Sequence, residues 1–310
     1  MSKNLISVQS GDWYDESNDE ASMKRLADAG FNAIDFNLDH IFSPSDYRKG
    51  KEFPICDMSY EELEKHYAPL RAAAEKNGIT IAQTHASFPI YYPDEDKVNE
   101  YIFTVLEKTI AINSFIGCGA TVIHPYTCAD KELCRRVNMD IYTRLIPTAK
   151  KYGVKICLEN LFYCINGLVI GGECYEPNEA CTYIDELNAI AGEEVFGFCL
   201  DVGHAHLVGQ NIKRFVKTLG KRLTVLHIHD NNGVFDQHLM PYTQVSGWGD
   251  KCATDWNGFI EGLRDIGYSG PISFETFKVT NLFPAALTDD VLKLISAIGR
   301  YMSDEINERL

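Results

Sequence analysis

Phe196-Gly197-Phe198-Cys199-Leu200-Asp201-Val202-Gly203-His204 is a short apolar run that turns polar at its C-terminal end. A run of this length and composition reads as a fully buried strand of a parallel sheet. Outward from it, the same unit recurs along the chain. Strand-forming runs fall near 5–10, 32–38, 80–86, 121–126, 155–161, 196–202, 223–229 and 272–276. Amphipathic stretches follow them near 20–29, 59–77, 97–117, 130–151, 178–190, 211–219, 255–266 and 286–306. Gly30, Gly78, Gly153 and Gly267 stand where helices must stop before the next strand. Eight strand–helix pairs predict an α/β protein, a single-domain (β/α)8 TIM barrel over residues 1–310. The alternative is a doubly wound open sheet. That fold calls for a glycine-rich nucleotide turn after the first strand, where this chain reads Ser10-Gly11-Asp12-Trp13.

The 310 residues carry 44 acidic and 29 basic side chains, a formal net charge of −15. Nucleic acid and anionic membrane surfaces are held through Lys/Arg excess, so the balance argues against both as partners. No apolar stretch approaches the roughly 18 residues of a membrane span, and the first residues show no signal-peptide pattern. The ten cysteines are scattered without a CxxC pair, and several sit inside apolar runs. Free buried thiols of this kind point to a reduced, cytoplasmic protein. Long loops follow strands at 37–58, 87–96, 162–177 and 230–253, the side of a barrel that builds active sites. The glycine-rich part of one of them, Asn166 to Glu173, reads as an irregular loop at least as readily as a lid.

Polar residues that buried strands ordinarily exclude recur at the strand ends. They are Gln83-Thr84-His85, Ile123-His124-Pro125, Leu158-Glu159-Asn160, Asp201-Val202-Gly203-His204-Ala205-His206, His227-Ile228-His229-Asp230 with Asp236-Gln237-His238, and Phe274-Glu275-Thr276. Seven of the nine histidines belong to this set. An unpaired buried carboxylate is expensive, and converging carboxylates without a cation would have to share protons. Glu159, Asp201 and Glu275 around one axis, completed by an imidazole, therefore form a mixed oxygen and nitrogen site. Such a site suits manganese first, with zinc, cobalt or magnesium as alternatives.

These motifs resemble the xylose isomerase-like TIM-barrel superfamily, which includes sugar phosphate isomerases, ketose 3-epimerases and the endonuclease IV branch of AP endonuclease family 2. The resemblance runs from the first strand to Glu275. It implies a divalent cation held by Glu159, Asp201, His227 and Glu275, with His229 as the substitute for His227 or a substrate contact. It implies a sugar, sugar phosphate or cyclitol isomerase or epimerase that moves a proton through a metal-stabilised enediolate. Glu159 and Glu275 are then the acid/base pair, and His204 binds a hydroxyl or carries a proton. His85, His124, His229 and Trp13 are expected substrate contacts, and relatives point to a homo-oligomer. The other branch uses a trinuclear zinc site on abasic DNA. His85, His124, His204, Asp236 and His238 match its additional ligands, so Asp236 and His238 are candidates for a second metal position. The loop Asn231-Asn232-Gly233-Val234-Phe235 lacks the Arg that contacts substrate in the 3-epimerases. Phe88, Tyr91, Tyr126 and Trp248 are further aromatic candidates at the same rim.

Overall fold

The computed structural model describes residues 4–11, 13–244, 253–276 and 278–308. Eight parallel strands make the barrel wall: β1 (Ile6–Gln9), β2 (Ala33–Asn37), β3 (Thr80–His85), β4 (Ala120–Val122), β5 (Lys155–Glu159), β8 (Phe196–Asp201), β9 (Leu223–His227) and β10 (Ile272–Phe274). Their order is β10-β1-β2-β3-β4-β5-β8-β9. A parallel bridge between Ile228 and Phe274 joins the two ends, through Ile228 N–H to the Ser273 carbonyl and Glu275 N–H to the Ile228 carbonyl. This closure excludes the open doubly wound sheet.

The strands are short, three to six residues each, and helices cover them. The covering layer is α1 (Asp19–Asp28), α4 (Tyr60–Lys76), α5 (Asp96–Phe115), α6 (Lys131–Tyr152), α7 (Pro177–Ala191), α9 (Ile212–Leu219), α10 (Trp256–Ile266) and α11 (Thr288–Asn307). Two single-turn helices, α2 (Pro44–Tyr47) and α3 (Pro54–Asp57), fill the long loop after β2, and α8 (Val202–Leu207) follows β8 directly. Start signals are local. Ser59 and Glu62 form a capping box on α4, and Asp130 accepts from the Glu132 and Leu133 N–H groups at the start of α6. Among the described residues no helix is long and apolar enough to cross a membrane. The nine described cysteines are free; Cys252 lies outside the described residues.

One segment departs from its sequence reading. Residues 162–171 form an antiparallel hairpin, β6 (Phe162–Ile165) with β7 (Leu168–Gly171). Asn166 and Gly167 both have positive φ, 51° and 78°, the two-residue turn that an Asn-Gly pair favours.

Between barrel and helices the contacts are mainly apolar, with buried exceptions such as Thr84 of β3 donating to Asn113 of α5. Phe198 of β8 is fully buried and stacks on Phe215 of α9, ring centroids 6.1 Å apart. Replacing Phe198 by Ala is expected to cost about 3–5 kcal/mol, read as a lower urea midpoint at unchanged m-value. A loss below about 1 kcal/mol would show that the helix layer does not depend on this contact.

Candidate metal and substrate site

The C-terminal strand ends converge, and the polar residues they carry are almost fully buried. Glu159, Asp201, His227 and His229 are 0% exposed and Glu275 is 8% exposed. His227 Nδ1 lies 3.0 Å from Glu159 Oε2 and 3.5 Å from Glu275 Oε2. Its other ring nitrogen faces Asp35 Oδ2 at 3.3 Å. Asp201, His227 and Glu275 form one group with a ligand atom from each within 4.8 Å of the others, and His85, Glu159 and His227 form another. His227 thus presents Nδ1 to both expected partners, Glu159 and Glu275, with Asp35 on its other side.

His229 belongs to a neighbouring cluster. Its Nε2 is 3.1 Å from Asp201, its ring stacks on His238 at 4.0 Å, and His238 Nε2 is 2.8 Å from Asp236 Oδ2. Asp201–His204–His229 and His229–Asp236–His238 are two further groups of possible ligands. The donor set is larger than one ion requires.

Local folding fixes each side chain. Asp201 caps α8 by accepting from the His204 N–H at 2.6 Å. Asn160 holds the Asp201 backbone from both sides, donating to its carbonyl and accepting from its N–H. His204 Nδ1 is 3.0 Å from the Asn160 carbonyl, which leaves Nε2 toward Asp236. Gly203 makes room for His229: a Cβ there would lie 2.0 Å from His229 Cε1.

Electrostatics in this volume pull in opposite directions. Burial pushes the Glu159 carboxyl up, but the imidazoles of His124 and His227 outweigh it and hold it well below the usual carboxylate range. Burial raises Glu275, where Asp201 and Glu159 add to it against His227 and His238. Burial disfavours protonated His204, yet Asp201 and Asp236 hold its pKa well above the ordinary value. His229 is likewise raised by Asp201 against the burial that opposes it. His85 is driven well below, by burial and then by His124 and His227.

Above the cluster opens a cavity of about 700 Å³. His85, His124, Glu159, His204, Asp236, His238 and Glu275 reach it, and Tyr14, Phe88, Tyr126 and Phe162 supply aromatic surface. Among the described lining residues there is no Lys or Arg. Two expected contacts lie elsewhere. Trp13 is 5% exposed and turned inward, its indole N–H donating to the Gln9 carbonyl; the adjacent Tyr14, whose N–H closes a turn onto the Gly11 carbonyl, takes the cavity position. His229 is buried beneath His238 rather than on the cavity wall. Tyr91 packs edge-on against Tyr126. Trp248 lies outside the described residues.

The comparisons with known proteins agree with this architecture. The family model described as Xylose isomerase-like TIM barrel matches residues 23–298. The chain belongs to this family. It is 32% identical over 278 residues to the uncharacterized protein y4fM of Sinorhizobium fredii, covering 85% of this chain and 82% of that one. It is 28% identical over 187 residues to the inosose isomerase of Bacillus subtilis, covering 59% of this chain and 63% of the relative; with the two inosose isomerases next in similarity the match spans about half of their length. The structure of a D-psicose 3-epimerase crystallised in the presence of D-fructose superposes with a TM-score of 0.68 at 15% identity, over 96% of this chain and 99% of that one.

Two polar residues of this site, Gln9 and Asp35, were not flagged by the strand-end pattern that included Gln83. Gln9 donates to Glu275 Oε1 at 3.0 Å, Gln83 donates to Asp35 Oδ2 at 2.9 Å, and Asp35 faces His227. Gln9 ends the run Ile6–Gln9 and Asp35 interrupts the run 33–36, polar breaks of the kind that located Glu159.

Replacing Gly203 by Ala tests the His229 placement. The added methyl displaces the ring, so the variant is expected to lose about 1–3 kcal/mol and to shift the His229 resonances in NMR spectra. A variant with parental stability and unshifted His229 signals would contradict the packing described.

Proposed function

We propose that this protein is a divalent-cation-dependent isomerase or epimerase of a neutral, unphosphorylated sugar or cyclitol. The observation that carries the reading is the convergence of Glu159 and Glu275 on His227 Nδ1, at the floor of a cavity without Lys or Arg among its described lining residues. The named activities of relatives support the same class: inosose isomerase, D-psicose 3-epimerase, 3-keto-D-glucoside 4-epimerase and L-ribulose 3-epimerase.

The residues fit a cation. Both Glu159 carboxylate oxygens, both His227 ring nitrogens, His229 Nδ1 and Asp236 Oδ1 are buried without a hydrogen-bond partner. Buried polar atoms left in this way ask for an ion, water or ligand. Glu159, Asp201, His227 and Glu275 would hold the ion, a mixed oxygen and nitrogen set suited to manganese and open to zinc, cobalt or magnesium. His229, Asp236 and His238 offer a second position. A bound divalent cation polarises carbonyl and hydroxyl oxygens of the substrate.

The chain's own groups supply the rest. Glu159, held ionised by His124 and His227, is set to accept a proton, while Glu275, raised by burial, is set to hold one; such a split between two carboxyls assigns base and acid roles. Gln9 fixes Glu275 Oε1, so Oε2 is the oxygen free to exchange the proton. His204, its Nδ1 occupied by the Asn160 carbonyl, presents Nε2 to a substrate hydroxyl. Tyr14, Phe88, Tyr126 and Phe162 cover apolar faces of the sugar.

Two measurements test the reading. Against a panel of free ketoses, phosphorylated ketoses and inososes, with manganese added, turnover is expected on a neutral member, and Glu275→Gln is expected to lower kcat by about 10²–10⁴-fold. Unchanged turnover in that variant would remove the acid/base role, and cleavage of abasic DNA with three zinc ions per chain would favour the phosphodiesterase branch. Metal binding itself has a pH sign. His227 and His229 hold protons above their ordinary range in the metal-free fold, and ligation needs neutral imidazoles. Affinity is therefore expected to rise with pH and to fall as pH drops, with proton uptake by the buffer on binding. Calorimetry in two buffers of different ionisation enthalpy measures it; binding without proton release would contradict the assignment.

A further inference from the structure

Outside the donor cluster, two sulfurs meet beside the cavity wall. Cys128 follows residues 125–127, which line the cavity, and Cys134 lies in the first turns of α6. Their Sγ atoms are 3.2 Å apart. The turn between them is built for that approach: the Cys128 N–H donates to Cys134 Sγ at 3.1 Å, and Asp130 caps the helix. Cys134 is buried, whereas Cys128 is partly exposed on a loop.

We propose that Cys128 and Cys134 are an oxidation site, a dithiol that hydrogen peroxide converts to an intramolecular disulfide. The Cys128 thiolate attacks one peroxide oxygen and breaks the O–O bond, giving Cys128 sulfenic acid and, with one proton, water. Cys134 Sγ then attacks the sulfenic sulfur; the S–O bond breaks, and the departing hydroxide leaves as water with the Cys134 proton. Two thiols are oxidised to one disulfide, and one peroxide is reduced to two waters.

The order of events follows from the surroundings. Cys128 is the accessible thiol. Burial, the Cys128 contact and Glu173 push the Cys134 thiol up to about 12, which makes it a poor first nucleophile and suits it to act second, on a sulfur already in contact. A disulfide needs its sulfurs about 2.05 Å apart, so closure requires an approach of about 1 Å, borne by the loop. That loop is tied to its surroundings. Asn138 holds the Tyr126 backbone by two hydrogen bonds, and Thr127 Oγ1 accepts from the Glu173 N–H at the root of the hairpin. Oxidation therefore acts at the segment that carries Tyr126 and Thr127 into the cavity. The inference does not depend on the proposed activity.

Treatment of the full chain with roughly stoichiometric peroxide, unfolding, alkylation of the remaining thiols and peptide mapping test it. Cys164, exposed on the hairpin, is the internal comparator. The expected result is a Cys128–Cys134 linked peptide, lighter by two hydrogens than its dithiol form, formed before Cys164 reacts. Cys134→Ser is expected to accumulate a dimedone-reactive sulfenic acid at Cys128, and Cys128→Ser to leave Cys134 unmodified. Oxidation of Cys164 while Cys128 stays fully alkylatable would overturn the proposal, as would a disulfide pairing either residue elsewhere.

Discussion

The contact between Glu159 and His227 governs this structure. Both side chains are fully buried, and their charged atoms lie 3.0 Å apart. An ion isolated at such depth costs several kcal/mol, so neither residue is tolerable without the other or a cation. Their strands are not neighbours: β8 stands between β5 and β9, and the two ends meet only across the interior of a closed barrel. The same holds for Gln83 with the Leu226 carbonyl and for Asp35 with His227. Barrel closure and the polar interior therefore depend on each other. Opening the seam at Ile228 and Phe274 would strand carboxylates; removing the carboxylates would leave imidazoles and amides without partners.

This mutual dependence also sorts the groups by role. Glu159 is hemmed in by imidazoles and stays ionised, whereas Glu275 sits where burial and two other carboxylates dominate. Two chemically identical groups a few ångströms from one histidine thus acquire different proton affinities from placement alone. Asp35 contributes from the other side of His227. It lies 3.3 Å from Nε2 and leaves Nδ1 as the nitrogen that faces Glu159 and Glu275. A carboxylate behind a ligating imidazole raises its basicity and fixes its orientation.

What was legible in the chain follows from which forces act locally. Apolar runs bounded by turn residues report strands faithfully, so the eight wall strands stand near their expected places, though shorter, with His85, Glu159, Asp201 and His227 as the last residues of their strands. The hairpin at 162–171 was legible too, through Asn166-Gly167 between alternating apolar residues, but the neighbouring glycines suggest an irregular loop. The exchange of Trp13 for Tyr14 was not legible, because a one-residue difference in an irregular loop is decided by the Gln9 carbonyl, a tertiary partner. His227 and His229 share a face of β9 by period, and only the third dimension separates them, one toward Glu159 and the other beneath His238.

The position of the hairpin is decided by one buried carboxylate away from the cavity. Glu173 is 1% exposed. It accepts from the Tyr183 hydroxyl at 2.6 Å and from Lys131 Nζ at 3.1 Å, so both oxygens are occupied and its charge is matched. Its backbone carbonyl receives the Leu161 N–H, and its own N–H donates to Thr127. Gly172 is required beside it, since a Cβ would lie 2.9 Å from the Leu161 carbonyl. Through this one residue the returning strand, the N-terminus of α6 and the cavity wall at Thr127 share a single anchor, and Phe162 is delivered to the cavity as a consequence. The shape of the cavity is thereby set partly from outside the barrel, by helices α6 and α7, none of whose residues line it.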